Sequence, residues 1–313
     1  MRAFPVVQVD VFTERVFGGN PLAVVFGAAS LDTAEMQAIA REMNLSETTF
    51  ILPATRPDCV ARVRIFTPTV ELSFAGHPTI GTTWVLASRG ELPAGARQLR
   101  LEEGIGPVPV ILEGDLATPA LVWMDHRDPN FGPPFADRAA IAGALGLSAA
   151  DLLPNAPLCT GSTGVEFLYV PLRSPDLVDR ASLDVPALLR ALGPSSGASV
   201  FIFALDPGLG PGTNGGGRVY ARMFAPHTVG VAEDPATGSA SGPLAAYLVQ
   251  HGLIQIPVGE GGRARIVSEQ GTRMGRQSFI HMDVRLPESG GRATDIRVGG
   301  SVVPIMEGTL RLP

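Results

Sequence analysis

Lysine is absent from this sequence of 313 residues, so all 24 of its basic side chains are arginines. Without a lysine amine, the chain cannot form a Schiff base with a carbonyl substrate or with pyridoxal phosphate, and it has no Walker-A lysine. Cysteine is scarce too, because Cys59 and Cys159 are the only two and no C-x-x-C motif contains them. This spacing argues against a disulfide framework and indicates reduced thiols in a cytoplasmic protein.

Several other signatures are missing. The formal net charge is −6, which argues against a nucleic-acid surface, because such a surface needs clustered cations. No stretch approaches the roughly 18 apolar residues of a membrane helix, and the segment before Asp10 has no signal-peptide pattern. There is no G-x-G-x-x-G, and the five histidines show no H-x-x-x-H spacing. We therefore expect no membrane partner, no metal and no cofactor.

Length and composition predict two globular domains. Hydrophobic residues make up 45% of the chain and charged residues 17%, as in compact proteins. At roughly 150 residues a domain, the length corresponds to two units. Proline, glycine and aspartate cluster over residues 128–134, so we place the halves at residues 1–126 and 127–313, with the terminal strand able to return to the first half.

The two halves share an arrangement of strands around one apolar helix. Residues 80–87 form an apolar helix that follows a turn of small residues. A second turn of this kind follows Asp234 and opens another apolar helix, through Leu244 to Gly252. A surface helix capped by Asp32 precedes the first. Strand-like stretches surround both helices, and the last three lie near residues 264–267, 279–286 and 296–305. Because strands and helices do not alternate strictly, a doubly wound parallel sheet is disfavoured, and two similar α/β halves facing across a cleft fit better.

Glu47 is the first candidate for acid–base chemistry. It lies between Leu45 and Phe50, where a helix passes into a strand. An apolar neighbourhood raises the pKa of a carboxyl group, and a group tuned in this way can accept and return a proton near neutral pH. The alternative at this stage is a surface carboxylate on an edge strand.

The starts of the two apolar helices are the other candidates. One is Gly76–His77, and the other runs from Asp234 to Ser239. The N-terminus of a buried helix offers free N–H groups and a positive dipole end, which suit a substrate carboxylate. Alternatively, His77 only caps its helix, and residues 233–239 form an ordinary helix-entry turn.

Taken together, four segments closely resemble the PhzF-like (phenazine biosynthesis) family, which has the diaminopimelate epimerase fold. They are V-D-V-F with F-G-G-N-P-L-A-V in residues 9–24, N-L-S-E-T in 44–48, F-A-G-H-P-T in 74–79 and E-D-P-A-T-G-S-A in 233–240. The last two are highly specific. Weaker similarities occur at residues 269–276 and 298–300, so the resemblance spans the chain in the family's order.

The resemblance implies an α/β (α+β) fold of two pseudo-symmetric domains, each a barrel-like mixed sheet around a central helix, with the site between them and a homodimeric assembly. It implies that Glu47 carries a proton between two carbons of a small acidic substrate. His77 and Asp234 would hold or protonate that substrate, and Asn20 would orient it. The helix starts would bind its carboxylate, through Gly76 in the first half and through Gly238 and Ser239 in the second.

One departure from related folds bears on the mechanism. Epimerases of this fold use two cysteines at the helix-opening turns, where this sequence has Ala75 and Thr237, so a two-thiol racemase is disfavoured. Gln277 stands where the family often has proline. The expected activity is a cofactor-independent isomerisation by proton transfer. The alternatives are a racemase or epimerase that pairs Glu47 with His77 or Asp234, and a relative that binds a small ligand without catalysis. The substrate and any link to a phenazine pathway do not follow from the sequence.

Overall fold

A computed structural model describes residues 1–193, 199–206, 217–225, 232–254, 262–286 and 293–313. The chain divides into two compact units. Unit 1 contains Met1–Asp125, Arg276–Phe279 and Val298–Pro313, and unit 2 contains His126–Gly275 and Ile280–Arg297. Among the described residues, no helix is long and apolar enough to cross a membrane.

The first 125 residues hold eight strands and two α-helices, in the order β1 (Arg2–Val11), β2 (Asn20–Val25), α1 (Thr33–Met43), β3 (Glu47–Leu52), β4 (Ala61–Phe66), β5 (Glu71–Leu72), α2 (Gly76–Ser88), β6 (Gln98–Glu103), β7 (Gly106–Gly114) and β8 (Pro119–Asp125).

The described residues that follow form β9 (Asn130–Phe131), α3 (Arg138–Ala144), β10 (Cys159–Ser162), β11 (Glu166–Leu172), α4 (Pro175–Arg180), α5 (Val185–Leu192), β12 (Ser199–Leu205), β13 (Gly217–Phe224), β14 (Glu233–Asp234), α6 (Gly238–Gln250), β15 (Arg263–Gln270), β16 (Ser278–Arg285), β17 (Thr294–Gly300) and β18 (Val302–Leu312).

The sheet of unit 1 is mixed and curls around α2. Its pairing runs from β18 antiparallel to β1, β1 antiparallel to β2, and β2 parallel to β3. It continues with β3 antiparallel to β4, β4 parallel to β6, β6 antiparallel to β7, and β7 antiparallel to β8. Helix α2 contacts β18, β1, β2 and β3 as well as β8, which are strands from both ends of this order.

Helix α2 is buried on every side, as its uniformly apolar composition predicts. Every residue from Gly76 to Ala87 is buried. Gly81 allows the helix to approach the sheet closely, because a Cβ there would lie 2.6 Å from Leu22 Cδ2 and 2.7 Å from Val11 Cγ2. The helix is therefore held against β1 and against β2, which begins at Asn20.

Unit 2 repeats the pairing order of unit 1. β10 pairs antiparallel with β11, β11 parallel with β12, and β12 antiparallel with β13. β13 then pairs antiparallel with β14 and parallel with β15. The run from β1 to β6 has the same sequence of orientations, and in both units the central helix follows the two-residue strand. The predicted fold of two similar α/β halves, each with a central helix, is confirmed.

The core of unit 2 surrounds α6 with aromatic side chains. The Tyr169 hydroxyl donates to the Ala240 carbonyl at 2.7 Å, and the Tyr169 and Tyr247 rings stack with centroids 5.8 Å apart. Phe203 meets Tyr247 edge to face at 5.7 Å. These contacts fix the first turns of α6 against β11 and β12.

The cap predicted for α1 is confirmed, whereas the last strand predicted from the sequence is wrong. Asp32 caps α1 as predicted, accepting from the Glu35 amide at 2.8 Å, while the Glu35 carboxylate accepts from the Asp32 amide at 3.0 Å. The single β-like stretch predicted over residues 296–305 is wrong, because it is two strands. The break is at Ser301, whose carbonyl accepts hydrogen bonds from Phe12 and Thr13 instead.

Candidate active site

Glu47 opens β3 on the face of the sheet that looks toward α2. It pairs with Leu22 of the parallel neighbour β2. Two residues along the same face, Thr49 Oγ1 lies 2.9 Å from Thr82 Oγ1 of α2. The side chain of Glu47 is 15% exposed, so its carboxyl group is largely enclosed but can still be reached by a small molecule.

His77, the second residue of α2, is a neutral buried imidazole. Burial lowers its pKa to about 3, and a hydrogen bond to the Pro21 carbonyl opposes that shift only in part. Its side chain is 5% exposed. Near neutral pH the ring therefore carries a single N–H hydrogen, and its contact with a carboxyl group is not an ion pair.

The structure brings His77 and Glu47 together within unit 1. His77 Nε2 lies 3.3 Å from Glu47 Oε2. Nε2 has no hydrogen-bond partner among the described residues, so Nδ1 is the nitrogen that donates to the Pro21 carbonyl. In the neutral ring, Nε2 then carries the lone pair and faces the carboxyl group as an acceptor. Asn20, which precedes Pro21 at the start of β2, is fully buried.

The N-cap residue of α2 has no side chain that could cap the helix. Ala75 occupies this position with extended backbone, and the first turn carries no acidic residue. The amides of Gly76 and His77 are among the first four of the helix, which have no intrahelical acceptor. Two N–H donors stand at a positive helix end, beside Glu47.

The N-terminus of α6 in unit 2 has the same form. Thr237 is its N-cap residue but makes no capping hydrogen bond; its hydroxyl donates to Asp234 Oδ2 at 2.5 Å and accepts from Gln270 Nε2 at 3.0 Å. Gln270 braces this turn by accepting from the Thr237 amide at 3.2 Å and donating to the Asp234 carbonyl at 2.7 Å. The amides of Gly238 and Ser239 stand at the start of the helix, as those of Gly76 and His77 do in unit 1.

An arginine–glutamate pair clamps the strand that leads into each helix. In unit 2, Arg222 binds Glu233 through both ends of its guanidinium group, at 2.7 and 2.8 Å, and its side chain also lies over the Phe224 ring. In unit 1, Arg64 binds Glu71 in the same way, with both distances 2.7 Å. Glu233 is the neighbour of Asp234, so the clamp in unit 2 fixes the backbone that presents Asp234.

The repeated register aligns the two units residue by residue, and the titratable side chains differ between them. Phe66 and Phe224 end β4 and β13 and face Glu71 and Glu233. On this alignment, three positions have a titratable side chain in one unit and a non-titratable one in the other. The pairs are Glu47 with Ser199, Leu72 with Asp234, and His77 with Ser239. Within the part of the chain that the structure describes, the Glu47–His77 arrangement thus has no counterpart in unit 2.

The two thiols lie away from the helix-opening turns. Cys59 is in the connection before β4, and Cys159 opens β10. Burial raises the pKa of Cys159 to about 11 and also raises that of Cys59, so neither is a ready thiolate near neutral pH. Across the described ranges, no three His, Cys, Asp or Glu side chains are grouped as metal ligands.

Comparison with known proteins identifies the family. Residues 9–308 match the family described as phenazine biosynthesis-like protein. The chain belongs to this phenazine biosynthesis-like family. The resemblance drawn from the motifs is therefore confirmed.

Relatives of the same family are isomerases. The chain is 36% identical over 307 residues to an uncharacterized isomerase of Mesorhizobium japonicum, covering 96% of each protein. It is also 36% identical over 303 residues to trans-2,3-dihydro-3-hydroxyanthranilate isomerase of Pseudomonas aeruginosa, covering 96% of this chain and 97% of that protein. The crystal structure of a PhzF-family protein of Bacillus anthracis superposes with a TM-score of 0.85 at 27% identity over 100% of both chains. The protein is an isomerase of the phenazine biosynthesis-like family.

Sequence reasoning missed the side chains that support the two helix starts. The motifs do not single out Arg222 and Gln270 as supports, yet each belongs to a short internal repeat. Arg64-Ile65-Phe66 recurs as Arg222-Met223-Phe224, and Glu102-Glu103-Gly104 recurs as Glu269-Gln270-Gly271. Aligning the two halves of the sequence with each other is enough to reveal both triplets.

The arginine clamps give a prediction about stability. Arg222→Met leaves Glu233 as a largely buried charge without its partner, so we expect the free energy of unfolding to fall by about 3 kcal/mol. Arg64→Met is the matched control, because Glu71 is more exposed, and there the loss is about 1 kcal/mol or less. Denaturant unfolding measures both, and equal losses would contradict the stronger role of Arg222.

The neutral state of His77 gives a prediction about pH. The folded-state pKa of about 3 lies below the ordinary value of 6.5, so the unfolded chain takes up a proton at His77 before the folded chain does. This contribution to stability is complete above pH 6.5 and declines as the pH falls toward 3. His77→Gln should flatten the acid decline of the unfolding free energy more than His251→Gln, which removes a partly exposed ring whose pKa is also lowered by burial. An unchanged slope in His77→Gln would contradict a buried neutral imidazole.

Proposed function

We propose that this isomerase moves a proton between two carbons of a small carboxylate-bearing substrate, without a cofactor, and that Glu47 is the acid/base. Asp234 holds or protonates the substrate, Asn20 orients it, and His77 stabilises the protonated form of Glu47. The helix starts at Gly76 and at Gly238–Ser239 bind its carboxylate.

The contact between Glu47 and His77 carries the proposal. A group that stores a proton between two transfers needs a neighbour that stabilises its protonated form. His77 Nε2, 3.3 Å from Glu47 Oε2, presents a lone pair to that oxygen. A Glu47 carboxyl group that has just taken a proton from carbon can donate a hydrogen bond to this nitrogen, and the neutral ring does not compete for the proton because burial disfavours its charged form.

The uncapped helix starts support a substrate with a carboxylate. At each start, the side chain of the N-cap residue makes no hydrogen bond to the first-turn amides, which have no intrahelical acceptor. A carboxylate is a natural occupant of such a position, because it accepts two hydrogen bonds and is stabilised by the positive helix end.

The proposed step balances without any further reactant. The Glu47 carboxylate takes a proton from a substrate carbon, and the C–H electron pair moves into the adjoining unsaturated system. The protonated Glu47 then delivers the proton to another carbon of that system, and the electron pair forms the new C–H bond. The carboxylate is regenerated, and nothing is oxidised or reduced.

The internal repeat favours isomerisation over inversion at one carbon. An epimerase needs a base on each face of the carbon, and symmetric folds supply the two from equivalent positions. Here the position equivalent to Glu47 is Ser199, and the helix-opening turns carry Ala75 and Thr237 instead of thiols. A single proton-carrying carboxyl group suits removal and return of the proton by the same residue.

The candidate substrates include that of the relative from Pseudomonas aeruginosa. That protein is a trans-2,3-dihydro-3-hydroxyanthranilate isomerase, and its substrate combines a carboxylate with an unsaturated ring. We propose testing this compound first, followed by other cyclic amino and hydroxy acids. We also propose a homodimeric assembly, which sedimentation at several protein concentrations would test.

Glu47→Gln is the decisive variant. Glutamine keeps the shape and the hydrogen-bonding capacity of the side chain but cannot exchange a proton with carbon. We expect the variant to fold and bind ligand like the parent, while solvent-deuterium incorporation into the substrate slows by roughly 10²- to 10⁴-fold. Mass spectrometry of the recovered substrate and product measures this rate.

The controls separate this role from simpler ones. Glu42→Gln, on the exposed face of α1, should exchange deuterium at the parent rate. Asp234→Asn should weaken binding as well as rate, since Asp234 is proposed to hold the substrate. If Glu47→Gln keeps most of the parent's turnover, Glu47 is not the acid/base. Tight binding of a substrate without deuterium exchange in the parent would favour a non-catalytic ligand-binding protein.

Cofactor independence is tested separately. The chain has no lysine for a Schiff base, and we propose that proton transfer needs only its own side chains. Deuterium exchange should survive exhaustive treatment with EDTA and dialysis, at an unchanged rate. Activity lost on this treatment and restored by one metal ion would overturn this part of the proposal.

A further inference from the structure

Glu103 is a buried carboxyl group that the proposed mechanism does not use. It ends β6, and 5% of its surface is exposed. Its Oε1 lies 2.5 Å from the hydroxyl of Thr79 in the first turns of α2, and its Oε2 has no hydrogen-bond partner among the described residues. A carboxylate left in this position would be a buried charge without a counter-ion.

The Thr79 hydroxyl indicates which partner holds the proton. Thr79 Oγ1 is 2.8 Å from the carbonyl of Ala75, the N-cap residue of α2, and a carbonyl can only accept. The hydroxyl has one hydrogen. If Thr79 donates it to Ala75, the 2.5 Å contact with Glu103 is a hydrogen bond only when the carboxyl group is protonated and donates.

Unit 2 has a neutral side chain at the position that corresponds to Glu103. Ser241, at the position of Thr79, donates its hydroxyl hydrogen to the Thr237 carbonyl at 3.0 Å, as Thr79 does to Ala75. Gln270 occupies the position of Glu103 there, because β13 pairs with β15 in the same parallel register as β4 with β6. Gln270 holds the turn before α6 through both its amide oxygen and its amide nitrogen.

We propose that Glu103, in its neutral form, is a positioning residue that holds the first turn of α2, and that loss of its proton at alkaline pH releases this turn. The protonated carboxyl group holds α2 through Thr79, whereas the Gln270 amide holds α6 through its N-cap residue Thr237. Gly76 and His77 belong to the proposed active site, so the effect on turnover rests on the proposed function, whereas the effect on the turn itself does not.

The electrostatic surroundings agree with this assignment. Burial raises the pKa of Glu103 to about 8. The charged neighbours on the adjoining strands, Glu102 of β6 and Arg62 of β4, pair with each other on the opposite, exposed face of the sheet.

The other described elements around Glu103 supply no counter-charge either. β7 faces Glu103 with Gly106, and Glu71 of β5 is bound to Arg64. The titratable group that α2 contributes in its first turn is His77, which is neutral. The shift of Glu103 therefore reflects burial.

The test compares Glu103→Gln with the parent by hydrogen–deuterium exchange of the peptide spanning residues 74–83. In the parent, protection of this peptide, corrected for intrinsic exchange rates, should fall several-fold between neutral pH and a pH well above 8. Glu103→Gln should keep its protection throughout. Glu102→Gln is the matched control and should behave like the parent. Thr79→Val, which breaks the chain of hydrogen bonds, should lower protection at every pH.

Stability offers a second readout that does not depend on activity. The folded-state pKa of about 8 lies above the ordinary 4.5, so the unfolding free energy of the parent falls as the pH rises through that interval. Glu103→Gln lacks this term, and its melting temperature relative to the parent should rise from acid to alkaline pH. If a substrate is found, the parent should also lose kcat/KM with an apparent pKa near 8 while Glu103→Gln does not.

These outcomes distinguish the inference from the proposed function. A parent peptide whose protection is unchanged across the pH range, or a Glu103→Gln peptide that loosens as the parent does, would overturn the role of Glu103. If Glu47→Gln remains active while residues 74–83 show the expected pH dependence of hydrogen–deuterium exchange, the proposed function fails but the positioning role of Glu103 is supported. A poorly folded Glu103→Gln would also contradict the inference, because Gln270 shows that an amide suits the corresponding position in unit 2.

Discussion

Each unit must enclose a helix that is apolar on all sides, and this constraint determines where the polar groups of the protein lie. Such a helix cannot leave its N-terminal amides to water as a surface helix does, because its first turn is inside the fold. In α2, the residues from Gly76 to Ala87 are all buried, and no side chain caps the start. Uncapped donors at a positive helix end in a low-dielectric setting attract an anion strongly.

The supports of this arrangement are the same in both units, while the reactive groups are not. An arginine–glutamate clamp fixes the strand before each helix, and a hydroxyl from the second turn binds each N-cap carbonyl. Glu47 and His77 occur in unit 1 and Asp234 in unit 2. Duplicated scaffolds with diverged side chains are well suited to asymmetric chemistry, because each half can specialise without losing its support. Protonated Glu103 in place of the Gln270 amide follows the same logic.

The sequence predicted most of the helices and strands and the fold class. Periodicity identified α1 with its Asp32 cap, and the two apolar helices were clear from composition alone. Long-range contacts were less accessible. No local pattern indicates that the Ser301 carbonyl is used by Phe12 and Thr13, so the last strands were joined wrongly into one. The short α4 was missed because six residues give too little periodicity.

For the candidate site too, the sequence identified residues but not their long-range contacts. The motifs and the family resemblance pointed to Glu47 and His77, but their 3.3 Å contact depends on pairing between β2 and β3 and on the approach of α2. The neutral state of His77 follows from its burial, which a sequence cannot reveal for a single histidine. Glu103 and Arg222 were overlooked because a charged residue within a strand usually faces water.

The central claim is that one carboxyl group both removes and returns the proton. A single-turnover experiment with substrate deuterated at the reacting carbon tests it most directly, by mass analysis of the position of the label in the product. If Glu47 acts alone, part of the deuterium should reappear at the new carbon, because the same carboxyl group carries it there before exchange with water is complete. Complete loss of the label to solvent, with product deuterated only in heavy water, would contradict direct transfer of the proton between the two carbons by one enclosed carboxyl group.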